Sequence, residues 1–270
     1  MYTNKLKEKY YGTNNELDKL VDDKDSSVRI KIAKQGYGLD KLVNDDNWVV
    51  RQIVASHGYG LDKLINDRND MVRAEVAKQG YGLEKLVNDE SWHVRKVIAQ
   101  QGYGLNILIN DTNRRVIMTI IEQGYGLDKF VNSVDEEIRI AVANQGYGLD
   151  KLINDPVYEV RIAVAKQGYG LDKLINDEFW IVRKTVAEQG YGLEKLVNDS
   201  NSDVREEVAR QGYGLNQLIN DKSWCVRKAI AEQGYGLERL VNDDDLRVRE
   251  AAQINFRKNE KINSINKIKF

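Results

Sequence analysis

The sequence predicts an all-α fold, a solenoid of about eleven two-helix repeats. Three observations carry this. The tripeptide Gly-Tyr-Gly begins at Gly36, Gly58, Gly80, Gly102, Gly124, Gly146, Gly168, Gly190, Gly212 and Gly234, always 22 residues apart. Between these tripeptides, apolar residues such as Val50, Val54 and Ala55 recur at helical spacing. Proline occurs once in 270 residues although glycine occurs 21 times, so glycine here is punctuation rather than loop composition. A short fixed period marks stacked units that cannot bury an apolar face alone.

Taken in order, residues 1–16 form an N-terminal cap segment, 17–252 the solenoid, and 253–270 a basic C-terminal capping helix or tail. The first repeat opens at Leu17 and the eleventh at Leu237. Each repeat has a long helix that starts near position 47 of the second repeat and its equivalents. Asp25, Asn47, Asn69, Ser91, Asn113, Asp135, Asn201, Ser223 and Asp245 stand at its N-cap, where a side-chain oxygen accepts a free backbone amide. In the seventh repeat Asp155 is expected to cap, with Pro156 as first helical residue. The first glycine of Gly-Tyr-Gly ends the helix in the left-handed conformation. A second, short helix is predicted over Leu39–Asn44, with Leu39, Leu42 and Val43 inward and Asp40 and Lys41 outward. Neither helix is long enough to be stable alone. The closing segment carries Arg257, Lys258, Lys261, Lys267 and Lys269 among Ile254, Phe256, Ile262, Ile265, Ile268 and Phe270. It reads either as a cap or as an amphipathic contact segment.

The run Leu-x-x-Leu-Val-Asn-Asp, followed by Val-Arg-x-x-Val-Ala-x-Gln, resembles the bacterial HEAT-like repeats, and especially the variant leucine-rich repeat. The resemblance covers the chain from about Leu17 to Ala252. It implies a right-handed superhelix that alternates α- and 3₁₀-helices, and a scaffold rather than an activity. Two features depart from the family: Gly-Tyr-Gly replaces its Asn/Pro-rich connection, and the cysteine cluster found beside some members has no counterpart.

An aspartate at position 45 and an arginine at position 51 recur in nearly every repeat. The fifth repeat has Ile117 in the arginine column but keeps Asp111; the sixth has Ser133 in the aspartate column but keeps Arg139. Pairing within a repeat would strand both survivors, whereas pairing each arginine with the next repeat's aspartate strands neither. The expected rungs are therefore Arg29–Asp45, Arg51–Asp67, Arg73–Asp89, Arg95–Asp111, Arg139–Asp155, Arg161–Asp177, Arg183–Asp199, Arg205–Asp221 and Arg227–Asp243. The missing rung makes the joint between repeats five and six the one expected to open most easily. The recurrent glutamine of Gln-Gly-Tyr-Gly is read as a backbone hydrogen-bonder, and the tyrosines as capping and packing groups.

Function is expected where repeats differ. The positions of Val49, Gln52, Ile53 and Ser56 vary most, form one helical stripe, and are expected to be exposed. Met118, Ile140 and Ile162 make that stripe apolar at its centre, flanked by Lys96 and Lys184. Arg114 and Arg115 adjoin Glu136 and Glu137 in sequence order across repeats five and six. Trp48, Trp92, Trp180 and Trp224 share one position, read either as recognition anchors or as covers over the inter-repeat seam.

Composition narrows the classes. Lys+Arg total 41 and Asp+Glu 42, which argues against a strongly basic nucleic-acid binder. One cysteine, Cys225, and two histidines leave no disulfide framework and little material for a metal or His-based catalytic site. No cofactor or metal is expected. The polar N-terminus is unlike a secretory signal, no apolar run approaches a membrane span, and a cytoplasmic protein is expected. The preferred reading is a scaffold for a protein or peptide; the alternative is nucleic-acid binding through Arg114, Arg115 and the basic tail; an enzyme is the remote one.

Overall fold

The computed structural model describes residues 14–268, and side chains over 16–258. The described residues are all-helical, an α-solenoid in which long helices alternate with single-turn ones. The chain divides into two compact units, Met1–Gly126 and Leu127–Phe270. In the first, the long helices Ser26–Lys34, Trp48–Ser56, Asp70–Lys78, Trp92–Gln100 and Arg114–Glu122 each pack on the next. In the second, Glu136–Asn144, Tyr158–Lys166, Trp180–Glu188, Ser202–Arg210, Trp224–Glu232 and Leu246–Ile268 do the same. Among the described residues no helix is long and apolar enough to cross a membrane.

Each long helix of nine residues is too short to persist alone, so its stability comes from the face it buries. Val50, Val54 and Ala55 are completely buried, as are Val72, Val76 and Ala77 in the next repeat, and Val204, Val208 and Ala209 in the second unit. The short helices add Leu42, Leu64, Leu86, Leu174 and Leu196 to this core. They are tighter than the sequence suggests, Leu39–Leu42 rather than reaching Asn44. Two i→i−4 bonds, Leu42 N–H to Gly38 O and Val43 N–H to Leu39 O, both at 3.0 Å, give way to the tighter Asp45 N–H to Leu42 O at 3.1 Å.

The starts of the long helices follow the side chains at their caps. Asn47 Oδ1 accepts the Val49 amide at 2.8 Å, and Asn69, Asn113, Asp135 and Asn201 do likewise. Three caps lack such a bond. Phe179 and Val157 have no oxygen to offer, and Ser223 Oγ lies 2.9 Å from Cys225 Sγ instead. The seventh repeat corrects the expectation for Pro156: the helix begins at Tyr158, and Pro156 lies before it. Asp155 is not free to cap that helix, because it accepts the Val157 amide at 2.9 Å and holds Arg139.

The helix ends are set by the glycines. Gly58 and Gly60 adopt φ of +72° and +63°, and the Tyr59 amide reaches back to Val54 O at 3.3 Å, closing the helix. In the eleventh repeat Asn255 and Phe256 replace Gln and Gly, nothing stops the helix, and it runs unbroken from Leu246 to Ile268. The sequence division at 252/253 thus falls inside one helix. The side chains of Lys261, Ile262, Ile265, Lys267, Ile268, Lys269 and Phe270, and all but the last three residues of the 1–16 segment, lie outside the described residues.

Candidate interaction surface

A ladder of ion pairs holds consecutive repeats together. Each ladder arginine forks onto the aspartate 16 residues on. Arg51 Nε and Nη2 donate to Asp67 Oδ2 and Oδ1 at 2.6 and 2.8 Å. The same two-pronged contact joins Arg29–Asp45, Arg73–Asp89, Arg95–Asp111, Arg139–Asp155, Arg161–Asp177, Arg183–Asp199, Arg205–Asp221 and Arg227–Asp243. The third arginine nitrogen turns homeward: Arg51 Nη1 donates to Asp45 O at 2.7 Å. The aspartate has a second duty too, since Asp45 Oδ1 accepts the Asn47 amide at 2.9 Å and shapes the loop before the helix. One rung therefore ties together two repeats and the entry to a helix.

These pairs are shielded, with Arg51 and Asp67 side chains only 7% and 6% exposed. Breaking such a pair by removing one partner typically costs about 3–5 kcal/mol, because a buried charge is left behind. Burial pushes the Asp67 carboxyl up, but the Arg51 hydrogen bond and the Asn69 amide outweigh it and hold it below the usual carboxylate value. Asp45, Asp111, Asp199 and Asp221 are lowered by the same balance. At Asp243 the Arg227 hydrogen bond is itself the largest influence, and the direction is again downward.

Two further sets of contacts were not evident in the sequence. The lysine column is not simply solvated: Lys63, Lys85, Lys173, Lys195 and Arg239 each donate to the asparagine 19 residues earlier, and Gln217 donates to Asn198 Oδ1 at 2.6 Å. Ile107 breaks this column and lies 47% exposed. The glutamines reach the carbonyl ends of the preceding long helix: Gln101 Nε2 donates to Ala77 O at 2.8 Å and Gln233 Nε2 to Arg210 O at 2.9 Å. Asn255 preserves that contact with Ala231 O at 3.1 Å even though the Gly-Tyr-Gly after it is gone.

The variable stripe is narrower than expected. Its Ile53 column is buried at Val97, Thr119, Ala163, Thr185 and Ala229, so that column belongs to the packing between long helices rather than to an exposed face. A helix flanked on both sides buries a wider arc than its Val/Ala face alone suggests. Met118 in the first unit, and Ile140 and Ile162 in the second, are half-buried. Arg114 and Arg115 are exposed at the start of their helix. Glu136 and Glu137 are exposed in the first turn of theirs, where the helix dipole favours acidic groups.

The aromatic position stands at the seam and stays partly open. Trp48 and Trp180 are each 38% exposed, and Trp92 is half-buried. The Arg115 guanidinium sits over the Trp92 ring at 4.7 Å, and Arg247 over Trp224 at 3.3 Å. Tyr158 instead stacks on Phe179, with centroids 4.8 Å apart and planes 14° from parallel. In each case the aromatic is covered by the next repeat. The structure thus brings Trp92 and Arg115 together, two residues the sequence lists separately. The tyrosines also stay partly open, Tyr59 at 43% and Tyr103 at 39%, and Tyr37 donates its hydroxyl to Asp18 Oδ1 at 2.6 Å.

Among the described residues, Asp203, Glu206 and Cys225 bring ligand atoms within 4.8 Å of one another. Two of the three already have partners: Glu206 Oε1 accepts from Arg210 at 2.6 Å, and Cys225 Sγ meets Ser223 Oγ. Asp203 and Cys225 hold the same position in consecutive repeats, a juxtaposition that only the stacking creates. No protein-family model and no curated protein matches the chain.

Proposed function

We propose that this protein is a non-enzymatic, cytoplasmic interaction scaffold whose partner is a protein or peptide. The observation that carries the reading is a division of labour within each repeat. The recurrent polar groups are engaged in holding repeat to repeat, as Arg51, Asp67, Lys63 and Gln101 illustrate. The residues left at the surface of the long helices change from one repeat to the next. In the first unit half-buried Met118 stands one helical turn from exposed Arg114, and in the second half-buried Ile140 stands within a turn of exposed Glu136 and Glu137, with Ile162 at the same position of the next repeat; each unit by itself sets apolar area beside charge, the mixture suited to a protein partner. Trp92 and Trp180 add aromatic edges. Arg115 lies against Trp92, so one of the two arginines on which nucleic-acid binding would depend is held by the protein itself.

We also place the repeats with the variant leucine-rich repeats. The support is the alternation of a long helix with a single-turn one and the run from Leu39 to Asp45. The test of function is a pull-down from the native cell, repeated with Met118→Asp, Ile140→Asp and Ile162→Asp combined. The expected result is loss of the wild-type partners while the helical circular dichroism is unchanged. An unchanged partner list removes these residues from the binding surface, and steep loss of binding with salt assigns the partner to nucleic acid instead.

A further inference from the structure

Two tryptophans show what this fold lays on an aromatic ring at the start of a long helix. Arg115 stands over Trp92 at 4.7 Å and Arg247 over Trp224 at 3.3 Å, each arginine coming from the next repeat. Trp180 holds the same position in the eighth repeat, and its helix packs on Ser202–Arg210 of the ninth. There the column of Arg115 and Arg247 holds Asp203 instead. Among the described residues no cation lies over the Trp180 ring and no other ring stacks on it, and Trp180 is 38% exposed.

The carboxylate in that column is itself unclaimed. Asp203 is half-buried, its amide donates to Asn201 Oδ1 at 2.8 Å, and its side chain makes no hydrogen bond or ion pair among the described residues. A carboxylate oxygen of Glu206 lies within 4.8 Å of it, and Glu206 is held by Arg210 at 2.6 Å. Lys184, on the Trp180 helix, turns to Glu188 at 4.0 Å rather than to Asp203. Apolar surface borders the pair. Phe179 stands at the cap position of the same helix, forgoes the side-chain bond a polar residue would make there, stacks on Tyr158 and stays 40% exposed. Exposed Glu159 and Glu178 add acid along this edge.

Resting on the reading of the protein as a scaffold for a protein or peptide, we propose that Trp180 and Asp203 seat an arginine of that partner. The guanidinium lies over the indole, as Arg115 and Arg247 do over theirs, and its edge donates to the Asp203 carboxylate. An apolar neighbour in the peptide lies on Phe179. Arginine suits both groups at once, because it stacks through its plane and donates within it. Trp48 is the internal contrast. It too has no cation over it, but Met71 stands in the covering column and offers no carboxylate.

Nuclear magnetic resonance of the nitrogen-15-labelled full chain tests this. Each tryptophan gives one indole N–H resonance, and Trp180→Phe identifies the one from Trp180. Titration with acetyl-Leu-Arg-Leu-amide is expected to move that resonance, saturating at millimolar peptide or below, and to leave the Trp48 resonance in place. The citrulline version of the peptide, which keeps the shape without the charge, is expected to bind at least about tenfold more weakly, and the lysine version about threefold. Asp203→Asn is expected to weaken the arginine peptide about tenfold. Asp203→Arg supplies the missing arginine from the chain itself, so it is expected to shift the Trp180 resonance without peptide and to abolish peptide binding. Circular dichroism and melting establish that each variant is folded. An unmoved Trp180 resonance, equal binding of the citrulline or lysine peptide, undiminished affinity in Asp203→Asn, or a folded Asp203→Arg protein that still takes the peptide would each overturn the proposal. Such a failure is confined to this site, because the pull-down with Met118, Ile140 and Ile162 altered reads the scaffold without the peptide.

Discussion

Gly60 meets two separate constraints, and Gly58 meets one. Both have positive φ, which costs an L-residue about 1–2 kcal/mol. A Cβ on Gly58 would meet nothing within 4 Å, whereas one on Gly60 would lie 2.5 Å from Cγ2 of Val43, the C-cap of the preceding short helix. Gly58→Ala is therefore expected to lower stability by about 1–2 kcal/mol. Gly60→Ala should lower it by about 1–3 kcal/mol more, from overpacking. Val43→Ala makes room, so the Gly60→Ala/Val43→Ala double variant is expected to lose less than the sum of the singles. Urea denaturation of the four proteins measures the coupling, and strict additivity would show that the close approach carries no strain. That both tripeptide glycines are required is readable in the sequence. That only the second is pressed against its neighbour is not, because the neighbour is 17 residues away in the chain.

Among the elements, the long helices differ in how their first turns are satisfied. Asn69 Oδ1 takes the Met71 amide at 2.9 Å, while Val157 offers no side-chain acceptor. Val157→Asn is expected to raise stability by about 1 kcal/mol, the usual worth of such a cap, and Asn69→Ala to lower it by as much. Thermal melting of both variants checks this; a Val157→Asn protein no more stable than wild type would mean that the half-buried valine contributes as much through packing. Cap positions are legible because the chemistry is local. The seventh repeat misleads because Asp-Pro is also a plausible helix start, and what displaces it is a demand from another repeat: Arg139 claims the Asp155 carboxylate.

Within the whole molecule, the ladder couples stability to acid. Asp45, Asp67, Asp111, Asp199, Asp221 and Asp243 are all held below the ordinary carboxylate value of about 3.9. A carboxylate lowered on folding contributes stability that is complete above its unfolded value and is lost as pH falls through its folded one. Unfolding free energy is thus expected to be nearly flat from neutral pH to about pH 5 and to drop steeply below about pH 4. Urea unfolding along a pH series measures it; a profile that stays flat to below about pH 3 would show that the rungs do not set the acid sensitivity. The register of the rungs can be read because repeats five and six lose opposite members of the pair, Ile117 and Ser133, which makes the sequence its own control.

The sequence by itself determines the period, the helical class, the glycine-set ends of the long helices and the partner of each ladder arginine. All of these depend on residue types recurring at fixed separation. Only the tertiary structure decides which residues of the variable stripe remain available. Helical periodicity identifies the centre of a buried face but not its width, and the width depends on how closely the flanking helices approach. The stacking therefore buries Thr119 and Thr185 while leaving Ile140 and Ile162 half-open. It places Arg115 on Trp92, and it sends the glutamine amides to backbone carbonyls. Those carbonyls are common to every residue type, so no sequence pattern marks them.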